Sequence, residues 1–295
     1  MITVTFYKDN SLALGIKTEL GILDVEKAAK KFAIETVNSV SDLFTLNEEG
    51  INVLNDLLNK AKDDSALFYD ESTLTFGPAV PTPQKIICVG LNYKRHADEC
   101  NMEYPKTPVI FSKFSNALSG HLAEVELPSN GTQFDFEAEL VIVIGKQARN
   151  VSKEDALSYV YGYSNGNDLS VRDFQFKSSQ WLLGKTPDGF CPVGPYLVSK
   201  DNIEDPDNLK IQLYLNGEQK QNSNTSDMIF NCSEIISFIS EHMTLLPGDI
   251  ILTGTPEGVI MGEPEDTRVW LKNGDEVSVK IENLGTLTTK IVANN

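Results

Sequence analysis

Two glutamates set two residues apart, with a long apolar run behind them, are the first feature of this sequence with chemical content: Asp135-Phe-Glu-Ala-Glu-Leu-Val-Ile-Val-Ile-Gly145. As a β-strand the segment alternates its side chains. Asp135, Glu137, Glu139, Val141 and Val143 then share one face, and Phe136, Ala138, Leu140, Ile142 and Ile144 the other. A run apolar on both faces belongs to a strand covered on both sides. Glu137 and Glu139 would stand roughly 7 Å apart at about 3.4 Å per residue. Carboxylates entering a core repel one another and lose hydration, so they need protons, basic partners or a metal. Ligands that are all oxygen suit a hard cation such as Mg²⁺, Mn²⁺ or Ca²⁺. E-x-E is also common where a strand emerges into solvent, and the segment alone leaves both readings open. A third acid, Asp168 of Asn167-Asp-Leu-Ser-Val-Arg-Asp173, follows Tyr163-Ser-Asn-Gly-Asn, which reads as turn-forming. An acid placed there, at a strand end, can present its carboxylate to a pocket. Arg172 and Asp173 can form a structural ion pair.

Such side chains need a rigid frame, and most of the chain reads as short strands cut by Gly, Pro, Asn and Asp. Strands are expected over 85–89, 109–112, 138–144, 196–199, 210–215, 250–253 and 276–282, and helices over 93–100, 152–156 and 233–242. The result is a β-rich α+β fold with a rolled or barrel-like mixed sheet. The N-terminal part differs. Residues 2–7 alternate as a strand, 12–16 can return as a hairpin partner, and Ile51, Leu54, Leu57 and Leu58 form a helical stripe suited to packing on a small sheet. Gly77-Pro-Ala-Val-Pro-Thr-Pro-Gln84 concentrates prolines. It marks a boundary between a small N-terminal α+β domain, 1–78, and a larger catalytic domain, 79–295.

The 295 residues carry a formal net charge of −17, which excludes a general nucleic-acid binder and an anionic membrane surface as partner. A hydrophobic fraction of 41% supplies a sizeable core. No apolar run reaches the roughly 18 residues needed to span a bilayer, and the first residues do not read as a signal peptide. Cys88, Cys100, Cys191 and Cys232 include no C-x-x-C pair, and His96, His121 and His242 are scattered, so no zinc motif is read. A reduced, cytoplasmic protein is the expectation.

The sequence resembles the fumarylacetoacetate hydrolase family, specifically its acylpyruvate hydrolase and oxaloacetate decarboxylase type. The similarity begins at Lys85-Ile-Ile-Cys-Val-Gly-Leu-Asn-Tyr-Lys-Arg-His-Ala-Asp-Glu99 and runs through Asp135-Phe-Glu-Ala-Glu-Leu, Gly145-Lys146, Asn167-Asp-Leu-Ser-Val-Arg-Asp and Trp181-Leu-Leu-Gly-Lys-Thr. It closes with Gly248-Asp-Ile-Ile-Leu-Thr-Gly-Thr-Pro-Glu-Gly258 and Leu284-Gly-Thr-Leu287, all in family order. The resemblance implies a mixed β-roll, a homodimer, and Mg²⁺ or Mn²⁺ held by Glu137, Glu139 and Asp168. Family substrates are 2-oxo or β-diketo acids, such as acylpyruvates, fumarylpyruvate and oxaloacetate.

The same resemblance assigns roles. His96 and Glu99 match the family's H-x-x-E segment. At i and i+3 they share a helical face, so Glu99 can orient an imidazole that takes a proton from water. Without the family, His96 is an ordinary helical histidine. Lys185 of Gly184-Lys-Thr is expected to stabilise negative charge on the substrate. Arg172, Gln175 and Thr255 are expected to bind substrate. The polar stretch 94–103 reads as a lid that orders on binding. Many members continue K-P where this chain has Lys113-Phe114, so Phe114 could line the pocket or simply pack. His121 reads as structural. The leading function is a metal-dependent hydrolase or decarboxylase of a 2-oxo acid, with a His–Glu pair activating water. The alternatives are an isomerase of 2-hydroxymuconate type and a non-catalytic metal-ligand binding scaffold on the same fold.

Overall fold

The computed structural model describes residues 1–46 and 48–293. Its main sheet follows the order Phe68–Tyr69, Gly21–Asp24, Ser11–Thr18, Ile2–Lys8, Cys191–Ser199, Val160–Asn167, Ala138–Ile144, Ile250–Leu252, Ile86–Gly90, Val109–Lys113. Most neighbours are antiparallel, but Ile250–Leu252 runs parallel to Ile86–Gly90, so the sheet is mixed. A second sheet orders Glu218–Asn224, Lys210–Leu215, Glu276–Ile281, Thr286–Ala293 and Glu124–Leu127. The β-rich mixed architecture is as expected. Both sheets keep free edges among the described residues, so neither closes into a barrel.

Ala138–Ile144 explains the layering. Leu140, Ile142 and Ile144 pack with Ile211, Leu213 and Val279 of the second sheet. Val141 and Val143, on the opposite face, pack with Leu43, Phe44, Leu54 and Leu57 from the helices Val40–Leu46 and Glu48–Ala61. Every side chain of the strand is buried, which is why it is apolar on both faces. The N-terminal strands continue the same sheet, because Ile2–Lys8 pairs antiparallel with Cys191–Ser199.

Three local readings are corrected. Residues 163–167 form no turn: they complete the interior strand Val160–Asn167. Asn165 is satisfied inside the fold, donating to Gly194 O and Leu284 O and accepting from Ile281 N. The stretch 135–145 is not one strand. Phe134–Asp135 pairs with Ser170–Val171, and the ladder resumes at Ala138. Residues 152–156 form no helix, and only a 3₁₀ turn follows, at Ala156–Tyr159. No helix among the described residues is long and apolar enough to cross a membrane.

Candidate active site

The interruption between the two strands places the acids. At the break, Glu137 N donates to Asn167 Oδ1 (3.0 Å) and Asp168 N donates to Glu137 O (2.9 Å). Two chain segments thirty residues apart are thereby clamped where both leave the ladder. Glu139, one pair further in, points to the same side. Oxygens of Glu137, Glu139 and Asp168 all lie within 4.8 Å of one another, and the three residues are 6%, 1% and 0% exposed.

Buried carboxylates at this separation require compensation. Lys185 Nζ donates to Glu137 Oε2 at 2.7 Å and to Asp168 Oδ2 at 2.9 Å. Arg172 Nη2 lies 2.7 Å from Glu137 Oε1 and 2.9 Å from Asp135 Oδ2. Lys113 donates to Asp168 and to Leu169 O. Glu137 is thus held ionised: burial alone would raise its pKa, but Lys185 and Arg172 bring it down to about 2. Glu139 goes the other way. Burial, with Asp168 and Glu137 as further negative charges, raises its pKa well above the usual range. Its hydrogen-bond donor is the Gly254 N–H, at 2.7 Å. Gly254 can make that contact because its φ of +100° is open to glycine, and a Cβ there would meet Asn92 Cβ at 2.8 Å.

Glu137 and Glu139 form the floor of a cavity of about 510 Å³, with His96, Glu99, Phe111, Trp181 and Met102 among its walls. His96 sits on the short helix Lys94–Glu99, which enters after Asn92. Asn92 donates to Phe230 O and Thr253 O and accepts from Phe230 N, which fixes the start of that helix. His96 Nδ1 lies 3.2 Å from Glu99 Oε2. The other oxygen, Glu99 Oε1, accepts from Gly258 N at 3.0 Å. Gly262 presses on the same carboxylate: a Cβ there would stand 2.2 Å from Glu99 Cδ. Burial by itself would lower the His96 pKa. Its contacts with Cys100 and Glu99 and the charge on Glu137 outweigh burial and bring it up to about 9.

Lys185, Arg172, Gln175 and Thr255 line the same cavity as His96, Glu99, Glu137 and Glu139, and Asp168 lies against the two glutamates. Arg172 donates through Nε to Asp135 and through Nη1 to Gln175 Oε1. That leaves the Gln175 amide NH₂ facing the cavity. Thr255 Oγ1 accepts from Gln221 Nε2, so its hydroxyl proton is available to a ligand. Phe114 is 55% exposed and does not line this cavity. Asp173 is structural, but it caps Thr132 N and Gln133 N and does not pair with Arg172. His121 accepts from Thr288 N and packs edge-on against Phe76.

Three residues escaped the sequence reading. Lys113 is a buried cation on Asp168. Asp135 holds Arg172 and also accepts from Ile260 N and Met261 N, tying the wall loop to the floor. Gln221 reaches from the second sheet to Ala138 N and Thr255. The available signals were Asp135 alternating in phase with Glu137 and a lysine ending an otherwise apolar strand.

The donor set fits a divalent ion. Asp135, Glu137 and Asp168 are ion-paired with Arg172, Lys113 and Lys185, whereas Glu139 has no cationic partner within ion-pair distance among the described residues. A buried carboxyl kept neutral for want of positive charge is what a hard cation corrects.

Residues 85–292 match the family model described as fumarylacetoacetate (FAA) hydrolase C-terminal. The chain is 48% identical over 222 residues to the Rattus norvegicus oxaloacetate tautomerase Fahd2a, mitochondrial, which covers 75% of this chain and 70% of that protein. It is 42% identical over 299 residues to the Dictyostelium discoideum fumarylacetoacetate hydrolase domain-containing protein 2 homolog, covering 96% and 93%. Among solved structures, maleylpyruvate hydrolase from Sphingobium sp. SYK-6, in complex with manganese(II) and pyruvate, aligns over 100% of both chains with a TM-score of 0.79 and 29% identity. The fumarylacetoacetate hydrolase of Exiguobacterium antarcticum aligns over 100% of both chains at a TM-score of 0.82, also with 29% identity.

Proposed function

The chain belongs to the fumarylacetoacetate hydrolase family, and from that premise we propose that it is a divalent-metal-dependent enzyme interconverting the enol and keto forms of an oxaloacetate-type 2-oxo acid. The carrying observation is the trio Glu137, Glu139 and Asp168, buried with its oxygens within 4.8 Å, of which Glu137 and Glu139 line a cavity walled by His96 and Glu99. These three carboxylates would hold Mg²⁺ or Mn²⁺, which supplies Lewis-acid polarisation of the 2-oxo group and offsets charge on its oxygen.

The chain's own residues do the rest. A His96 pKa of about 9 leaves the imidazole protonated at neutral pH, so it can give a proton to C3 of the enol. The enol hydroxyl loses its proton to solvent as C2=C3 becomes C2=O, and no redox change occurs. Glu99 holds the ring through Nδ1, leaving Nε2 as the donor. Lys185 fixes Glu137 and Asp168 and keeps positive charge beside the developing oxyanion. Gln175 and Thr255 offer neutral donors to a carboxylate.

A C–C hydrolase or decarboxylase is the second reading, favoured by the cavity itself. About 510 Å³ exceeds the needs of a four-carbon acid, and Trp181, Phe176 and Met102 supply an apolar flank for a longer acyl chain. Isomerisation of a 2-hydroxy dienoate would use the same proton donor at a more distant carbon. A reducing compartment, cytoplasmic or, as the rat relative's name has it, mitochondrial, suits four free cysteines.

The test is decay of enol-oxaloacetate absorbance with Mg²⁺ or Mn²⁺, with EDTA, and for His96→Asn. We expect loss of activity in EDTA and a fall of about 10²-fold or more for His96→Asn, the usual size of a general-acid contribution. Unchanged decay in both cases would refute the reading. Pyruvate or CO₂ released in step with turnover of acylpyruvates or oxaloacetate would establish the second reading.

A further inference from the structure

We propose that His96, Glu99 and Cys100 form a second metal site, suited to a borderline-soft cation such as Zn²⁺ and separate from the all-oxygen trio. A nitrogen, an oxygen and a sulfur donor converge there with their ligand atoms within 4.8 Å of one another. The convergence follows from helical spacing, since residues i, i+3 and i+4 share one face. His96 Nδ1 is the common atom, 3.2 Å from Glu99 Oε2 and 4.0 Å from Cys100 Sγ.

Those separations suit a tetrahedral ion. With Zn–N and Zn–O near 2.0 Å and Zn–S near 2.3 Å, tetrahedral angles put nitrogen about 3.3 Å from oxygen and about 3.5 Å from sulfur. The N···O distance already agrees. Sulfur must close by about half an ångström, within reach of a small side-chain rotation of half-buried Cys100. All three residues line the cavity, so an ion can enter and a water or ligand oxygen can take the fourth position. Sulfur and nitrogen donors separate this site from the carboxylate trio, where Mg²⁺ is the better guest. Spacing rules built on cysteine and histidine pairs overlook it, because one donor is a glutamate.

Occupation would consume Nδ1 of His96 and break its contact with Glu99. The consequence for turnover rests on the function proposed above, whereas metal binding does not. Thiophilic cations should therefore inhibit the protein even when Mg²⁺ is saturating.

The protein, saturated with Mg²⁺ to fill the trio, is titrated with Cd²⁺ as a spectroscopic probe and then with Zn²⁺ during enol-oxaloacetate turnover. We expect one equivalent of Cd²⁺ to produce a thiolate-to-metal charge-transfer band that is absent in Cys100→Ser. We also expect the half-inhibiting Zn²⁺ concentration to rise on the order of tenfold or more in that variant, for loss of its soft ligand. Should Cys100→Ser not fold, wild type blocked with iodoacetamide replaces it, because Cys88, Cys191 and Cys232 are buried. A band that persists after Cys100 is removed or blocked, or no band in the wild type, overturns the site. A Cys100-dependent band in a protein without tautomerase activity supports the site and counts against the proposed function alone.

Discussion

Glu137 and Glu139 are two residues apart in sequence and respond to burial in opposite directions, because only one of them touches cations. Lys185 and Arg172 hold Glu137 down to about 2, whereas Glu139, facing Asp168 and Glu137, is pushed well up. Residue type therefore says little about ionisation here, and neighbours decide it. The same holds for His96, which burial would discharge and which Cys100, Glu99 and Glu137 keep charged up to about pH 9. If His96 is the proton donor in ketonisation, the rate should stay level while the imidazole is protonated and fall as rising pH removes its proton. Its pKa is raised relative to the unfolded chain, so its contribution to stability is complete below about pH 6.5 and lost over the same upper range. A pH–rate profile of enol-oxaloacetate decay, beside urea midpoints for wild type and His96→Asn, measures both effects. A rate that increases through pH 9 would instead identify His96 as a base, as the water-activating reading of the sequence requires.

The element that brings these residues to one point is the wall loop after Ile250–Leu252. Gly254 N binds Glu139, Gly258 N binds Glu99, and Ile260 N and Met261 N bind Asp135. Floor and wall are thus held by one run of backbone donors. Gly262 leaves no room for a side chain beside the Glu99 carboxylate. Gly262→Ala should therefore displace Glu99, lower kcat by on the order of 10- to 100-fold, and return the His96 pKa toward its ordinary value. A variant that loses thermal stability while its pH–rate profile stays fixed would show that Gly262 matters only for packing. Sequence alone revealed the local half of this arrangement. The strand Ala138–Ile144 was legible to its end residues because burial on both faces writes itself as an unbroken apolar run. The pair His96 and Glu99 was legible because three residues make nearly one helical turn. What stayed hidden depends on contacts between distant segments: Lys113 with Asp168 at 55 residues, Gln221 with Ala138 at 83, and Ile260 with Asp135 at 125. Val160–Asn167 was hidden for a related reason, since its polar residues read as a turn until neighbours supply their partners.

For the molecule as a whole, the relevant fact is that an acidic chain, of formal net charge −17, buries the Glu139 carboxyl beside two other acids with no cation in direct contact among the described residues. Burial and the neighbouring Asp168 and Glu137 keep that carboxyl protonated in the folded protein without a bound ion. In the unfolded chain the same group ionises near its ordinary value of 4.5. Above that pH the unfolded chain sheds a proton that the folded chain retains, so the ion-free protein loses stability as pH rises. A divalent cation in the trio replaces the proton and reverses this loss. Mg²⁺ or Mn²⁺ at about 100 times its Kd should add about 2.7 kcal/mol, which for a chain of this size raises Tm by on the order of 5 °C. The gain should grow with pH, and ion binding at neutral pH should release about one proton, readable by calorimetry in buffers of different ionisation enthalpy. Glu139→Gln, a neutral isostere already suited to the ion-free interior, should match or exceed the wild type in EDTA and lose most of the Mg²⁺ response. If wild-type Tm were the same in EDTA and in excess Mg²⁺ or Mn²⁺ across that pH range, the trio would not be a cation site, because an ion that binds only the folded chain has to stabilise it.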